Sequence, residues 1–450
     1  MQSAHIDDFF AFLRFPSISA QPAHSKDMRN CAEWLSTKLR NIGFSASLCD
    51  TLGHPIVLAR LDAATPNSPT LLIYGHYDVQ PVDPLELWES QPFEPTVKDG
   101  FVFARGATDN KGQILSHILG VQEWIEKRDA LPVNIIFLIE GEEEVGSPNL
   151  APFLREHRAE LACDAIVVSD TGMVDIGCPT LTYGLRGIAA MEIHLSGPAM
   201  DLHSGIYGGA VANPVTELCR LVASLHDQQG RVAVEGFYNG VRPLQDWERS
   251  SWAGLPFNEE KIASVTKVPT LWGETGYSAL ERIWSRPTAE VNGIYGGYQG
   301  DGSKTVLPAQ ACAKLTFRLV PDQEPEKIQE CVRKHFERIC PPSVSMRIEM
   351  GHTGMPYLME PDGTLGKLAI AALKKAFPSK EPALVREGGS VPIVADFKTI
   401  LGAETLLLGL ALPGCQIHSP NENFSLENLY NGIAINQAII EEMKTMPKKS

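Results

Sequence analysis

The 450-residue sequence has no long apolar run. A membrane helix needs about 18 consecutive apolar residues, and no stretch is that long. We therefore expect no membrane partner. Residues 1–15 include Asp7 and Asp8 and have neither a basic leading segment nor an apolar core, unlike a signal peptide. This segment is more typical of an amphipathic helix.

Paired cysteines and clustered positive charge are also lacking. The nine cysteines are scattered without a CxxC pair, which predicts free thiols in a reducing compartment, by default the cytoplasm. The formal net charge is −15, and no Lys/Arg block stands out beyond the terminal Lys448 and Lys449. Nucleic acid is accordingly a poor candidate partner.

Apolar strand-like runs alternate with helical patterns through residues 1–183, which favours an α/β fold with a mostly parallel central sheet. From residue 184 to 354 the pattern changes to strand-helix-strand units of a smaller α+β domain. Within it, residues 237–302 have weak periodicity and look like a functional insertion. α/β character then returns, so we predict a discontinuous three-layer domain, 1–183 and 355–450, interrupted by an inserted domain at 184–354.

The most informative segment is an acidic run at residues 140–144, which has four carboxylates directly after the apolar segment 133–139. Carboxylates this close repel one another and are costly to desolvate at the end of a buried strand. A solvated loop tolerates such a run, whereas a bound cation would favour it.

Other predicted strand ends offer similar groups, and one more comes from the far end of the chain. The candidate ligands outside the acidic run are His76, Asp78, Asp109, Asp170 and His418. Imidazole and carboxylate suit Zn or Mn. Two histidines with three or more carboxylates exceed one tetrahedral ion and suit two ions roughly 3.5–4 Å apart.

Each element also has an ordinary structural explanation. His76 alone could be a structural histidine, Asp109 a helix N-cap, and Asp170 part of an Asx-turn. Asp78 could be a plain surface charge. The joint pattern favours a metal site, because five separate loops would otherwise place ligand-type residues by chance.

The motifs GHYDVQP, ARGATDNKG, EGEEEVGS, VVSD, DLHSG, REGGS and IHSPNE occur in this order between residues 74 and 423. Together they resemble the dinuclear zinc metallopeptidases that include carnosine dipeptidases, aminoacylases and succinyl-diaminopimelate desuccinylases. The likeness is greatest to the cytosolic nonspecific dipeptidase branch. It implies that the inserted domain is a ferredoxin-like lid through which the chain forms a homodimer.

The resemblance also implies a role for each ligand. His76 and Asp170 would bind one divalent ion, Glu144 and His418 the other, and Asp109 would bridge the two. Zinc is the metal expected for the two sites of each chain, with Mn or Co as alternatives. The peptide bond after the bridging residue, Asp109-Asn110, would be cis.

Among the remaining motif residues, the resemblance makes Glu143 the general base and Asp78 the residue that orients His76. His203 would donate to the oxyanion from the partner subunit, although by itself it could be an ordinary loop residue. The likeness assigns the substrate carboxylate to Arg318, Thr305 and Ser390, and the substrate amino group to Glu387. Arg318 could equally be a plain surface residue of a strand.

These assignments predict hydrolysis of dipeptides or similarly short peptides. In this family an Asp at the position of Asp170 accompanies dipeptidase and aminopeptidase activity, and a Glu accompanies deacylases and carboxypeptidases. The alternative is an amidohydrolase that acts on N-acyl amino acids. A third hypothesis is a non-catalytic scaffold without metals. The presence of every matched ligand and of the base argues against it.

Overall fold

The computed structural model describes residues 2–128, 130–389 and 391–446. The chain forms two compact units. The first comprises the described parts of Met1–Tyr183, Met359–Val385 and Asp396–Ser450, and the second those of Gly184–Leu358 and Arg386–Ala395. Among the described residues, no helix has the length and apolar character needed to cross a bilayer.

The strands, in chain order, are β1 (Ser45–Cys49), β2 (Ile56–Leu61), β3 (Thr70–His76), β4 (Thr96–Lys98), β5 (Phe101–Phe103), β6 (Asn134–Glu140), β7 (Ala165–Val168), β8 (Thr180–Leu185), β9 (Gly187–Ser196), β10 (Leu202–His203), β11 (Thr288–Gly296), β12 (Val306–Leu307), β13 (Gln310–Leu319), β14 (Ser345–Gly354), β15 (Tyr357–Leu358), β16 (Ala383–Glu387), β17 (Thr405–Leu407) and β18 (Asn423–Ser425). The α-helices are α1 (Gln2–Leu13), α2 (Ser25–Ile42), α3 (Gln113–Arg128), α4 (Leu150–Glu156), α5 (Ser204–Tyr207), α6 (Pro214–Ala223), α7 (Asp246–Ala253), α8 (Glu259–Thr266), α9 (Ala279–Ser285), α10 (Pro325–Ile339), α11 (Thr364–Ala376), α12 (Pro392–Asp396) and α13 (Leu426–Met443).

The main sheet of the first unit has the strand order β1-β2-β6-β3-β7-β17-β8. Its central strands β6, β3, β7 and β17 are parallel, and the outer pairs are antiparallel. Every residue of β3 is buried, as expected for a central strand covered on both faces. Helix α2 packs against β1 and β2, while α3, α13 and α11 pack in succession. The predicted α/β class is confirmed.

A small sheet in the same unit connects two distant segments. Strand β18 pairs with β5 in antiparallel register, with Asn423 opposite Phe103. This pairing holds the residues that follow β5 beside those that precede β18. Sequence segments separated by about 300 residues thus become neighbours at one edge of the unit.

The second unit contains the predicted α+β arrangement. Its sheet has the order β11-β13-β9-β14, with all neighbours antiparallel. These four strands and the two helices packed on them follow one another in the chain as β9-α6-β11-β13-α10-β14, with shorter elements between them. This is the ferredoxin-like strand order. Residues of α6 and α10 pack with one face of β9 and β13 in a single core, which includes Ile193, Leu221, Phe317 and Phe336.

Two details differ from the sequence-based expectations. The predicted boundaries assign residues 355–450 entirely to the first domain, but Arg386–Ala395 belongs to the second unit. Its contacts explain this, because Arg386 pairs with Glu248 and the Gly388 carbonyl accepts from Arg186 Nε at 3.0 Å. The stretch 237–302 is also more regular than predicted, since it contains α7, α8, α9 and the sheet strand β11. The three helices are only 7–8 residues long, too short for a clear periodicity.

Candidate metal centre

Three parallel strands of the first unit carry candidate ligands at or just after their carboxyl ends. His76 ends β3, the acidic run continues from β6, and Asp170 follows β7. The register places His76 beside Glu140 and Tyr74 beside Val168, so these three ends lie at one edge of the sheet. Open α/β sheets bind ligands at this edge.

Asp109 lies in an irregular helical segment, Ala107–Gly112, that approaches the end of β3 closely. A Cβ on Gly75 would lie 2.7 Å from the side-chain oxygen of Asn110, so this approach requires glycine. The peptide bond Asp109-Asn110 is cis, which confirms that expectation.

Asp109 contacts both candidate histidine ligands, each with a different oxygen. Its Oδ1 is 3.0 Å from Nε2 of His76, and its Oδ2 is 2.9 Å from Nε2 of His418. Asp170 Oδ1 is 3.8 Å from the same His76 nitrogen, and Glu144 Oε2 is 3.2 Å from the His418 nitrogen. Two ligand groups result, His76-Asp109-Asp170 and Asp109-Glu144-His418, and each is compact enough to hold one ion. The carboxylate of Asp109 is common to both.

The donor set fits two divalent cations. Both groups combine one imidazole with two carboxylates, a set that Zn and Mn accept. Oε1 of Glu144 is buried and has no hydrogen-bond partner among the described residues, as suits an atom that ligates a cation.

Asp78 supports His76 and the acidic run together. Nδ1 of His76 lies 3.1 Å from the Asp78 carbonyl oxygen and 3.3 Å from Oδ1 of its carboxylate. Since both are acceptors, Nδ1 carries a proton, and Nε2 is the ring nitrogen that faces Asp109 and that a cation would take. The Asp78 carboxylate also accepts from the backbone N–H groups of Glu143 and Glu144, at 3.2 and 3.1 Å. The second role was not predicted from the sequence.

The four carboxylates of the acidic run have different surroundings. Glu140 accepts from Tyr74 and Ser147, and burial raises the pKa of Glu140 to about 7. Glu142 accepts from Asn149 at 2.7 Å. Glu143 approaches His76, with Oε2 4.0 Å from its Nε2, and Glu144 contacts His418. Only the last two therefore face the candidate ligands.

Two amide side chains near the centre were not singled out from the sequence. Asn110 donates from Nδ2 to the Ser169 carbonyl at 2.7 Å and to Asp170 Oδ1 at 2.9 Å. Gln80 donates to Glu144 Oε2 at 2.8 Å. Both residues lie within motifs already quoted, but an amide has no metal-ligand signature that would have marked it.

Glu422 is a further buried residue that the sequence did not reveal. Its carboxylate accepts from the backbone N–H groups of Gly106, Thr108 and Asp109 at 2.9–3.0 Å and pairs with Arg105 at 2.8 Å. Glu422 follows His418 by four residues. It thus joins the segment that bears Asp109 to the one that bears His418.

The electrostatics of the centre favour positive charge. Burial would lower the pKa of His76, but hydrogen bonds to Asp109, Asp170 and Asp78 outweigh burial and raise that pKa well above its usual range. Hydrogen bonds to Asp109 and Glu144 raise the pKa of His418 to about 10. Burial raises the pKa of Glu143. The positive charge of His76 opposes this shift, and the negative charges of Asp170 and Asp109 increase it. A bound cation would relieve the same excess of negative charge.

The remaining predicted site residues that the structure describes belong to the second unit. His203 and Thr305 are neighbours, because β10 pairs with β12 and the Ser204 N–H donates to the Thr305 carbonyl at 3.0 Å. The His203 ring accepts from the Gly205 N–H at 3.0 Å through Nδ1, so Nε2 carries the proton and can donate.

Arg318 lies at the opposite end of β13 from this pair. It is opposite Ile188 in the register and close to Arg186. Burial lowers the pKa of Arg186 to about 10, and the positive charge of Arg318 contributes to this shift. The Arg186 N–H donates to the Glu387 carbonyl at 3.3 Å, so Glu387 belongs to the same end. Ser390 lies outside the described residues.

Two ligand groups that share one aspartate, on the carboxyl edge of a parallel sheet, fit the centre of a dinuclear metal-dependent hydrolase. The sequence profile described as Peptidase family M20/M25/M40 matches residues 72–442, and the chain belongs to this family. The family predicted from the motifs is therefore confirmed.

The individual relatives are peptidases. The Cys-Gly metallodipeptidase DUG1 of Saccharomyces cerevisiae is 30% identical over 457 residues, covering 97% of this chain and 94% of that protein. The human Beta-Ala-His dipeptidase is 32% identical and covers 86% of this chain and 77% of its own. Among solved structures, the M20 family metallo-carboxypeptidase Sso-CP2 from Sulfolobus solfataricus superposes with a TM-score of 0.86 at 32% identity, covering 98% of this chain and 99% of that one.

Proposed function

We propose that this chain hydrolyses the peptide bond of dipeptides or similarly short peptides with two divalent cations, for which zinc is the expected metal. The observation that carries the proposal is the position of Asp109, whose two oxygens each face a different histidine at about 3 Å. The names of two relatives, a Cys-Gly metallodipeptidase and a Beta-Ala-His dipeptidase, support this substrate class.

In the proposed site, His76 and Asp170 would hold one ion, Glu144 and His418 the other, and Asp109 would serve both. When bound, the ions would supply Lewis acidity and lower the pKa of a bound water. Asp78 orients His76 and the backbone of the acidic run, so the ligands are arranged before a substrate binds.

Glu143 is the proposed general base. It accepts a proton from the attacking water and delivers that proton to the leaving amine. Its location supports this role, because it approaches His76 without belonging to either ligand group. Burial raises the pKa of its carboxyl, the direction that suits a group that accepts a proton and then donates it.

The proposed substrate contacts come from the second unit. The guanidinium of Arg318 matches a substrate carboxylate, and the adjacent Arg186 adds positive charge at the same end of β13. Thr305 and Ser390 would assist in binding the carboxylate, and Glu387 would bind the amino group. His203 would donate from Nε2 to the oxyanion of the tetrahedral intermediate.

The separation of these residues supports a homodimer with shared sites. Arg318 and Gln310 are eight positions apart on β13, about 27 Å at ~3.4 Å per residue. His203 and Thr305 belong to the segments that follow β9 and precede β13, and these segments meet at the Gln310 end, where the Gly197 N–H donates to the Ala309 carbonyl. A dipeptide spans only about 7 Å, and the length of β13 therefore favours a site in which His203 and Arg318 come from different chains. We infer that the partner's copy of one of them completes each site.

Mixed dimers test this arrangement. Chains with His203→Ala and chains with Glu143→Ala are each expected to be nearly inactive. If the site is shared, mixing them restores part of the activity, because one of the two sites of the heterodimer then contains both intact residues. No restoration in heterodimers of demonstrated composition would show that His203 acts within its own chain.

Two other substrate classes have specific support and need a direct comparison. One is the N-acyl amino acids, which other members of the resembling family hydrolyse; the other is longer peptides cut from the carboxyl end, because Sso-CP2 is a metallo-carboxypeptidase. Ala-Ala, N-succinyl-alanine and an N-blocked tripeptide should be compared at equal concentration. We expect turnover of Ala-Ala alone. Turnover confined to a blocked compound would refute the dipeptidase assignment.

Metal content separates an enzyme from a scaffold. We expect at least two divalent ions per chain and activity that a chelator removes. Fewer than about one ion per chain, together with chelator-insensitive behaviour, would favour a non-catalytic protein. The proposed location is the cytoplasm, which the nine free cysteines support; cell fractionation would test it.

A further inference from the structure

A second group of metal-ligand side chains lies on the open face of the second unit's sheet. Along β9, Met191, Ile193 and Leu195 point into the core with α6 and α10. Glu192 and His194 alternate with them and therefore occupy the other face. This face belongs to the second unit, whereas the loops of the dinuclear centre belong to the first.

The strand register brings further donors to the same face. Cys312 on β13 is directly opposite His194, and Glu349 on β14 is directly opposite Glu192. Opposite residues in a ladder have side chains on the same side. The ligand atoms of Glu192, His194 and Cys312 all lie within 4.8 Å of one another.

The distances around His194 fit ligands of a common cation better than hydrogen bonds. Its Nε2 is 3.6 Å from Oε2 of Glu192 and 3.7 Å from Oε2 of Glu349. This nitrogen is buried and forms no hydrogen bond with any described residue. Tetrahedral zinc with bonds of about 2.0–2.3 Å separates its ligand atoms by roughly 3.3–3.8 Å.

Nearby cations leave these ligand oxygens available. Lys314 approaches the other oxygen of Glu192, Oε1, at 3.4 Å, and Arg347 contacts Oε1 of Glu349. Both Oε2 atoms therefore remain directed toward His194. Tyr295 on β11 is directly opposite Cys312 in the strand register, and both residues line the same groove.

The cluster is accessible to an ion from solvent. His194 and Cys312 line a groove of about 450 Å³ together with Tyr295, Gln310, Ser345 and Arg347. Cys312 itself is only 3% exposed. An ion could enter through the groove and leave the sulfur shielded from oxidants.

We propose that Glu192, His194, Cys312 and Glu349 bind a third divalent cation, with zinc as the metal that suits one thiolate, one imidazole and two carboxylates. Binding exchanges the proton of the Cys312 thiol for the metal, and that proton passes to solvent. Ligands from β9, β13 and β14 would cross-link three adjacent strands. The expected role is structural, since four protein ligands leave no open position for a substrate.

Cobalt substitution distinguishes this site from the dinuclear centre, whose ligands include no cysteine. We expect Co²⁺ added to the metal-free full-length protein to bind at three ions per chain. Thiolate coordination should produce a sulfur-to-cobalt charge-transfer absorption in the near ultraviolet. In Cys312→Ser this absorption should vanish and the stoichiometry should fall from three to two.

Two further variants keep the test decisive. His194→Gln should also lower the stoichiometry to two, which covers the case in which Cys312→Ser fails to fold. Cys219→Ser, at an exposed cysteine outside the cluster, should retain both the absorption and the third ion. The proposal is overturned if saturating Co²⁺ gives no thiolate band, or if the band persists in Cys312→Ser or disappears in Cys219→Ser.

Discussion

The two units each carry a histidine-carboxylate cluster, but they assemble it differently. In the first unit the candidate ligands lie at the ends of parallel strands and in nearby loops, namely His76, Asp109, Glu144, Asp170 and His418. The carboxylates of Asp78 and Glu143 lie beside them. In the second unit they project from one face of antiparallel strands. Loop ligands form contiguous sequence motifs, whereas strand-face ligands are isolated residues among apolar ones.

The charge balance also differs between the clusters. In the second unit each carboxylate has a partner cation, Lys314 for Glu192 and Arg347 for Glu349. In the cluster of the first unit the carboxylates outnumber the basic side chains, and they raise the pKa values of His76 and His418. An uncompensated negative cluster with a base outside the ligand groups is suited to catalysis, and a balanced four-ligand cluster is suited to cross-linking strands.

The largest expected effect that would test this contrast is that of Glu143→Ala. Removing the base should reduce kcat for Ala-Ala by about 10²–10⁴-fold, while the ions stay bound because the ligands remain. Steady-state kinetics and elemental analysis of the same preparation measure both quantities. Glu142→Gln, whose parent carboxylate accepts from Asn149, is the matched control and should keep its turnover. Loss of metal from Glu143→Ala would instead make Glu143 a ligand.

Asp78→Asn should have the next largest effect. An amide cannot accept equally well from both the His76 ring and the backbone of the acidic run, so metal affinity or activity should fall about 10–100-fold. Chelator competition followed by activity recovery measures the affinity. Asp83→Asn, an exposed position in the same loop, should behave as wild type. Equal affinities in the two variants would contradict the orienting role of Asp78.

Glu422→Gln should have a smaller effect on the same centre. The change keeps the side-chain shape but removes the charge that pairs with Arg105 and accepts from three backbone N–H groups. Because this carboxylate joins the segments of Asp109 and His418, we expect roughly tenfold weaker metal binding, at the low end of such outer-shell effects. Exposed Glu427→Gln is the control. A loss of thermal stability with unchanged metal affinity would limit Glu422 to a folding role.

The smallest expected effect is that of Cys312→Ser on catalysis. If the second cluster is structural, kcat and KM for Ala-Ala should stay within about twofold of wild type when the dinuclear centre is loaded, since the substituted thiol belongs to neither ligand group of that centre. A large fall in kcat with an unchanged unfolding temperature would show that the two clusters are coupled, and the contrast between them would fail.

The sequence by itself was sufficient for the fold class, the family and the types of ligand in the metal centre. These features depend on local patterns, namely apolar runs that end in loops with histidine, aspartate and glutamate. Because the carboxyl ends of parallel strands lie at one edge of the sheet, residues that follow these ends come together there. His76, Asp109, Asp170 and His418 were candidates for this reason, whereas the choice of Glu144 over Glu143 as a ligand came from the resemblance to the family; the five stay predicted ligands.

Tertiary structure decided which groups support those ligands and which residues can meet. Asn110, Gln80 and Glu422 act through hydrogen bonds to distant segments, and no local pattern marks such bonds. The separation of His203 from Arg318 and the meeting of His194 with Cys312 both depend on strand register. Register is set by the packing of a whole sheet, and a shift of one residue would direct these side chains to the opposite face.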